Sequence, residues 1–421
     1  MPSSSPRLVP REYRAARAAV AALFLTNGAI LANLLPRYPQ IKADLDLSNA
    51  QYGLAVAAFP SGAMVAGLAA GALIRRFRSS RVAVAGTLLT SLGVLLAGLA
   101  SSWWVLAVSL FFAGGMDAIT DVAQNSHGLR VQRLYGRSIL NSFHAVWSIG
   151  AVVGGLMGGL AAGLNVHRGL HLGFSALLFA GVSLMALRYT IPGPEPVVTV
   201  EPEAAAAHEG SAPARRQPTG RGRIWLIFAA LVLIAVGGIV VEDAGMTWAA
   251  VYLSGTLSAT AAVASFGFVA LVGAQFVGRL LGDGMVDRFG QRAVARAGGA
   301  TTALGMSAAL LFPSIPGTIA GFALAGFGVA TLVPAAMHGA DELPGLRAGT
   351  GLTVVSWLMR LGFLASPPLV GLVADNVGLR VGLLGVPLAG AIVVLLSGVL
   401  ATVRAPATAP GGQGPSLPQP H

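Results

Sequence analysis

Between Gly114 and Gly163 an apolar stretch carries polar groups at helical spacing. Asp117 and Asp121 are four residues apart, with Gln124 and Asn125 continuing the row, so on a helix they lie one above another on a single face. Asn141, His144 and Ser148 repeat the theme on the next apolar segment at i, i+3 and i+7. A carboxylate at bilayer depth requires a partner, a proton or a water-filled cavity, and it holds its proton more tightly than in water. The chemistry expected of Asp117 and Asp121 is therefore reversible proton carriage, with the imidazole of His144 able to join it near neutral pH. Two plainer readings stand beside this: Asp121 pairing with a loop arginine such as Arg130 or Arg137, and His144 as a hydrogen-bonded packing residue.

Further along, Glu242 and Asp243 are followed by Gly245 and Trp248. Neighbouring residues project about 100° apart on a helix, so one of the pair, expected to be Glu242 as a further proton-coupling group, faces a shared path unless Gly245 marks a break. Asp243 and Trp248 are expected at the solute-binding rim. Arg360 falls mid-way along an apolar segment with Thr353 and Ser356 on its own face, too deep to reach water by extending its side chain. It is expected to bind a substrate anion or hydroxyl, or to pair with Asp117 or Glu242; a purely structural ion pair is the alternative. Asn125, Asn141, Ser148 and Ser356 complete the candidate solute-binding set.

These groups need elements that hold them in a bilayer. Of 421 residues 55% are hydrophobic and 10% charged, and the mean hydropathy is +0.73, too little polar surface to clothe a soluble globule. The net charge of +11 is spread singly and in small groups between apolar runs, which indicates membrane orientation and not nucleic-acid binding. The chain has no cysteine, which excludes disulfides and thiolate metal sites. No metal-ligand spacing, phosphate-cradling loop or ATPase motif is present. No metal, no cofactor and no enzymatic activity are expected, and movement of a solute would be driven by an ion gradient or by the solute's own.

Apolar windows long enough to span fall at about 16–36, 51–74, 82–100, 103–126, 138–164, 169–190, 224–253, 260–282, 292–312, 315–338, 348–373 and 380–404. The first is expected to be retained as a span and not removed as a signal peptide. The expected organisation is an N-terminal tail at about 1–15, a six-helix bundle at about 16–190, a Pro- and Gly-rich linker at about 191–223, a second bundle at about 224–404 and a disordered tail at about 405–421. Most arginines fall in alternate loops, leaving Arg37, Lys42, Arg168 and Arg380 on the other side, so both termini are expected in the cytoplasm.

A shift of 288 − 76 = 212 carries Arg76-Phe77 onto Arg288-Phe289, and the same shift carries Ala113-Gly114 onto Ala325-Gly326 and Gly150 onto Gly362. The six-helix unit is thus duplicated, and a site between parallel repeats lies near the midplane and suits alternating access by rocking. The shift also superposes Thr353, Ser356 and Arg360 on Asn141, His144 and Ser148, two polar stripes facing one cavity. Arg279, Asp283, Asp287, Arg288 and Arg292, with Arg76 from the first repeat, form a charged cluster expected to latch the halves on the cytoplasmic side.

The run Gly282-Asp283-Gly284-Met285-Val286-Asp287-Arg288-Phe289-Gly290-Gln291-Arg292 resembles the Asp-Arg-x-Gly-x-Arg signature of the major facilitator superfamily. The first-half copy, Gly71-Ala72-Leu73-Ile74-Arg75-Arg76-Phe77-Arg78, keeps the glycine and basic residues but has Arg75 where that family usually has aspartate. The stretch with Asp117, Asp121, Asn125, Ser142-Phe143-His144, Trp147-Ser148 and Gly150 is similar to the fucose-permease-like branch of bacterial inner-membrane members. The resemblance implies an all-α membrane protein of twelve transmembrane helices in two pseudo-symmetric six-helix bundles. It also implies a monomeric, proton-coupled secondary transporter of a small, sugar-like solute. Gly150, Gly154, Gly155, Gly158 and Gly159 resemble instead the helix 5 glycine motif of proton-driven antiporters, which implies efflux of a drug-like or secreted metabolite. A non-transporting membrane sensor on the same fold is the remote alternative.

Overall fold

The computed structural model describes residues 10–136, 138–193, 221–343 and 350–400. Most of the expected linker and all of the expected C-terminal tail, together with Arg7, Arg137, Arg347 and Arg404, lie outside the described residues. Twelve long helices run in chain order, and no strand occurs among the described residues. They are α1 (Arg11–Asp44), α2 (Asn49–Phe77), α3 (Ser79–Gly98), α4 (Trp103–Tyr135), α5 (Leu140–Gly163), α6 (Arg168–Leu187), α7 (Gly222–Gly255), α8 (Ala261–Phe289), α9 (Gln291–Leu311), α10 (Ile315–Asp341), α11 (Thr350–Val377) and α12 (Leu379–Val399).

Eleven of the twelve are long and apolar enough to cross a bilayer. The exception is α9, whose 21 residues suffice for a hydrocarbon core of about 30 Å. Its hydropathy is diluted by Arg292, Arg296, three glycines and two threonines. Its packing against α10 and α12 places it with the others.

The two ends of the bundle differ in chemistry. Arg75, Arg76, Arg130, Arg133, Arg288 and Arg292 gather at one end, whereas Ser48, Ser102, Thr260 and Ser314 cap the first turns of α2, α4, α8 and α10 at the other. Each cap gives a backbone N–H of the first turn an acceptor that lipid would not supply.

The 212-residue repeat is physical as well as textual. Gly114 of α4 lies against the Phe59 carbonyl of α2, and Gly326 of α10 lies against the Leu271 carbonyl of α8; 326 − 114 and 271 − 59 both equal 212. A side chain at either glycine would collide with backbone, so the same close helix approach was kept in both copies. Two six-helix bundles result, α1–α6 and α7–α12, joined along α2–α11 and α5–α8.

These joints are closed at the arginine-poor end. The Asp375 carboxylate of α11 accepts from the backbone N–H groups of Asn49 and Ala50, each at 2.8 Å, at the start of α2. Gly53 packs on the Pro367 carbonyl and Gly371 on the Asn49 carbonyl, while Gly155, Gly159 and Gly163 of α5 take Phe268, Ser265 and Ala262 of α8. Between described residues, the halves share hydrogen bonds only at this end.

One turn departs from its repeat. Between α8 and α9 the chain turns through Gly290 at φ 81° and ψ 153°, and 290 − 212 = 78 is Arg78, at φ 76° and ψ 145° between α2 and α3. That backbone region suits glycine and strains any side chain, by about 1–3 kcal/mol. Arg78→Gly is therefore expected to raise thermal stability by about 1 kcal/mol, read as a higher unfolding temperature of the purified protein; an unchanged or lower temperature would refute the strain.

Candidate functional site

Two carboxylates from different halves face one small cavity of about 50 Å³ at the joint. Asn27, Gly28 and Leu31 of α1, Asp117 of α4 and Trp147 and Ala151 of α5 line it from the first bundle; Glu242 and Met246 of α7 and Phe268, Val272 and Gln275 of α8 line it from the second. Asp117 and Glu242 arrive there on long apolar helices whose other faces are committed to packing.

Asp117 accepts from the Asn27 amide at 2.7 Å, and the Asn27 carbonyl oxygen in turn accepts from Trp147 Nε1 at 2.8 Å and from Gln124 Nε2 at 3.4 Å. Asn27 is thus clamped at both ends of its amide, which fixes the orientation it offers to Asp117. Across the cavity Glu242 accepts from Gln275 Nε2 at 2.9 Å, and the Arg279 guanidinium stands 3.9 Å from the same oxygen. Gln275 and Arg279 are one helical turn apart on α8, so one face serves one carboxylate.

Toward the arginine-rich end the site opens. Asp121, Asn141, His144, Arg279 and Arg360 are exposed there. Asp121 accepts from Asn125 at 2.9 Å and Gln124 at 3.4 Å, and lies within electrostatic reach of His144 and Arg360. His144 sits edge-on to Phe24, with ring centroids 5.2 Å apart, and feels Asp121 and Arg279. Four helices, α4, α5, α8 and α11, thus bring Asp121, His144, Arg279 and Arg360 around one accessible space.

Several expected positions take different roles here. Ser148 is buried and donates its hydroxyl to the His144 carbonyl at 3.2 Å, and Asn125 spends its amide on Asp121 of its own helix. The partner of Glu242 is Arg279 and not Arg360; among the described residues Arg360 has no ion pair, and Ser356 beside it is half-buried. Asp243 is buried against α11, away from the cavity, and Trp248 is fully buried at the closed end. Arg279 leaves the expected charged cluster for the cavity. Arg76, Asp283, Asp287 and Arg288 are exposed, and Arg292 donates to the Leu400 carbonyl at 3.1 Å; no ion pair joins the halves through them among the described residues. No group of three or more metal-ligating acids or histidines occurs among the described residues.

Three site residues escape a search for charges: Asn27, Trp147 and Gln275 are neutral. Gln275, four residues before Arg279 in an otherwise apolar run, was the readable one; Asn27 gives no sign without its partner, 90 residues away.

A family model described as Major Facilitator Superfamily matches residues 19–283 and 243–420. The chain is 29% identical over 383 residues to "Uncharacterized transporter y4wD" of Sinorhizobium fredii, covering 90% of this chain and 97% of that protein. It is 28% identical over 381 residues to "Membrane protein MosC" of Rhizobium meliloti, covering 90% and 88%. Among solved structures, a bacterial homolog of the human lysosomal transporter Spinster, inward-facing and unoccupied, superposes with a TM-score of 0.70 at 15% identity, covering 94% of this chain and 98% of that one. A D-xylose-proton symporter superposes at 0.65 and 16% identity, covering 91% and 96%. At these identities the structural likeness concerns the fold.

Because the chain has no cysteine of its own, an introduced thiol reports its site alone. Cysteine at Asn141 or His144 is expected to react with a bulky hydrophilic maleimide at least about tenfold faster than cysteine at the buried Ala55; equal rates would contradict the asymmetric opening.

Proposed function

The chain belongs to the Major Facilitator Superfamily, and from that premise we propose that it is a proton-coupled secondary transporter moving a small, polar, sugar-like solute by alternating access. The observation that carries the reading is the pairing of Asp117 and Glu242 across one cavity at the joint of the halves. Charges at bilayer depth persist where they bind and release something. A proton is the smallest ligand able to neutralise them, and a cavity of about 50 Å³ has room for water but not for a sugar. The solute therefore occupies the open space beside Asp121, His144, Asn141 and Arg360. Its walls offer a carboxylate, an imidazole, an amide and a guanidinium, donors and acceptors suited to hydroxyl groups.

The arginine-rich end is the cytoplasmic one by the bias of basic residues, so the conformation is open inward, with both termini in the cytoplasm of a bacterial inner membrane. Arg76, Asp283, Asp287, Arg288 and Arg292 lie apart on this open side and would meet when it closes, with Arg279 exchanging Glu242 for the latch. Solute, proton and lipid are the partners required, and a monomer suffices. The α5 glycines that resemble an antiporter motif are accounted for by packing: Gly150, Gly154 and Gly158 seat α1 while Gly155, Gly159 and Gly163 seat α8. They lend no separate support to efflux.

In liposomes with an imposed proton gradient, accumulation of a labelled sugar in the direction of proton flow is the expected result, and expulsion against it would establish antiport. Asp117→Asn should reduce gradient-driven accumulation by about a hundredfold or more, in line with loss of an essential proton carrier, while solute exchange at equal pH persists. Equal loss of both would remove Asp117 from the coupling role.

A further inference from the structure

Glu242 and Asp243 are neighbours, yet only the first reaches the central cavity. Asp243 is 5% exposed, wedged between α7 and α11. Its Oδ1 accepts from the Thr247 hydroxyl at 3.0 Å. Its Oδ2 has no other partner than the Ser366 hydroxyl of α11, which stands beside the carboxylate within hydrogen-bonding reach.

The first bundle closes over this spot. Tyr52 of α2 donates its hydroxyl to the Thr247 carbonyl at 2.8 Å, and its ring meets Trp248 edge-on at 5.1 Å and Tyr38 of α1 at 5.6 Å. The titratable groups facing Asp243 are Glu242 on its own helix, Tyr38 from α1 and Tyr52 from α2; α11 presents the neutral Ser366. Among the described residues no basic side chain pairs with Asp243. An ionised carboxylate here would be buried and without a cation, held only by the Thr247 and Ser366 hydroxyls, a costly arrangement. A neutral one removes the charge and keeps both contacts, because a hydroxyl that donates to the ionised carboxylate can accept from its protonated form.

The local backbone connects this proton to the joint. Residues Ala244–Trp248 form a π-helical turn within α7, the kind of irregularity that concentrates at functional sites. Thr247 holds Asp243 with its hydroxyl and receives Tyr52 of the other bundle with its carbonyl. Whatever disturbs one contact disturbs the other.

We infer that Asp243 is a second proton-binding site, set in the seal at the arginine-poor end and separate from the cavity carboxylates, occupied when that end is closed and emptied when it opens. The inference rests on the alternating-access reading and adds where a proton is bound and which conformation it favours. Acid should then favour closure of this end, with the closed-to-open ratio changing by at most about tenfold per pH unit for one linked proton.

The test uses the full chain carrying Ala43→Cys and Val377→Cys, both exposed and on opposite sides of the joint, spin-labelled and measured without solute. The short-distance population is expected to grow as the pH falls from about 8 to about 5, as linkage to one proton requires. Asp243→Asn should remain closed throughout. Ser366→Ala, a milder change, removes a hydroxyl that can donate to the ionised carboxylate and should move the midpoint to higher pH. An Asp243→Asn variant that titrates like its parent, or a Ser366→Ala midpoint that does not move, would overturn the inference. Closure that follows sodium replacing choline at fixed pH would overturn it too. Flux is measured separately: a seal that responds to pH as stated, without proton-driven solute movement, would leave this site standing and remove the coupling reading.

Discussion

The carboxylates held at bilayer depth govern the rest of this molecule. Asp117 is met by Asn27 from α1, Glu242 by Gln275 and Arg279 from α8, and Asp243 by Thr247 of the π-turn that follows it. Neutral amides and hydroxyls supply most of these contacts. A full set of ion pairs would bind each carboxylate tightly and fix its charge, whereas amide donors leave it able to change protonation state without a stranded cation nearby. Among the described residues the one cation paired with these carboxylates, Arg279, stands at 3.9 Å, at the long edge of an ion pair, and on the side that is open.

Glycine makes this arrangement possible at the level of packing. In lipid, helices gain little from burying apolar side chains against one another, and close approach through small residues does the work instead. Gly150, Gly154 and Gly158 let α5 sit on α1, which brings Trp147 within reach of Asn27, while Gly155, Gly159 and Gly163 on another face let the same helix carry the joint to α8. One helix therefore supports the polar network of its own bundle and the contact with the other.

Closure of the arginine-poor end uses short-range groups: two backbone N–H groups on Asp375, one tyrosine hydroxyl on one carbonyl, and an edge-to-face aromatic pair. Each is a modest interaction, and the Asp375 contact favours the positive end of the α2 dipole. A seal assembled from such parts is firm while all are made and separable when one is lost, which would suit the opening and closing that the proposed alternating access requires.

The amino-acid sequence by itself determined the number of long helices, their duplication at an offset of 212 and the end at which arginine collects. Each of these follows from composition and period along the chain. It also marked Asp117, Asp121, His144, Glu242 and Arg360, because charge in an apolar run is visible locally. Which carboxylate meets which donor was decided only by tertiary structure. Asn27 and Asp117 are 90 residues apart and Tyr52 and Thr247 are 195 apart, and no local pattern encodes such pairings. The same holds for the separation of Glu242 from Asp243: a helix turns adjacent side chains about 100° apart, but only the positions of α8 and α11 made one direction a cavity and the other a seal.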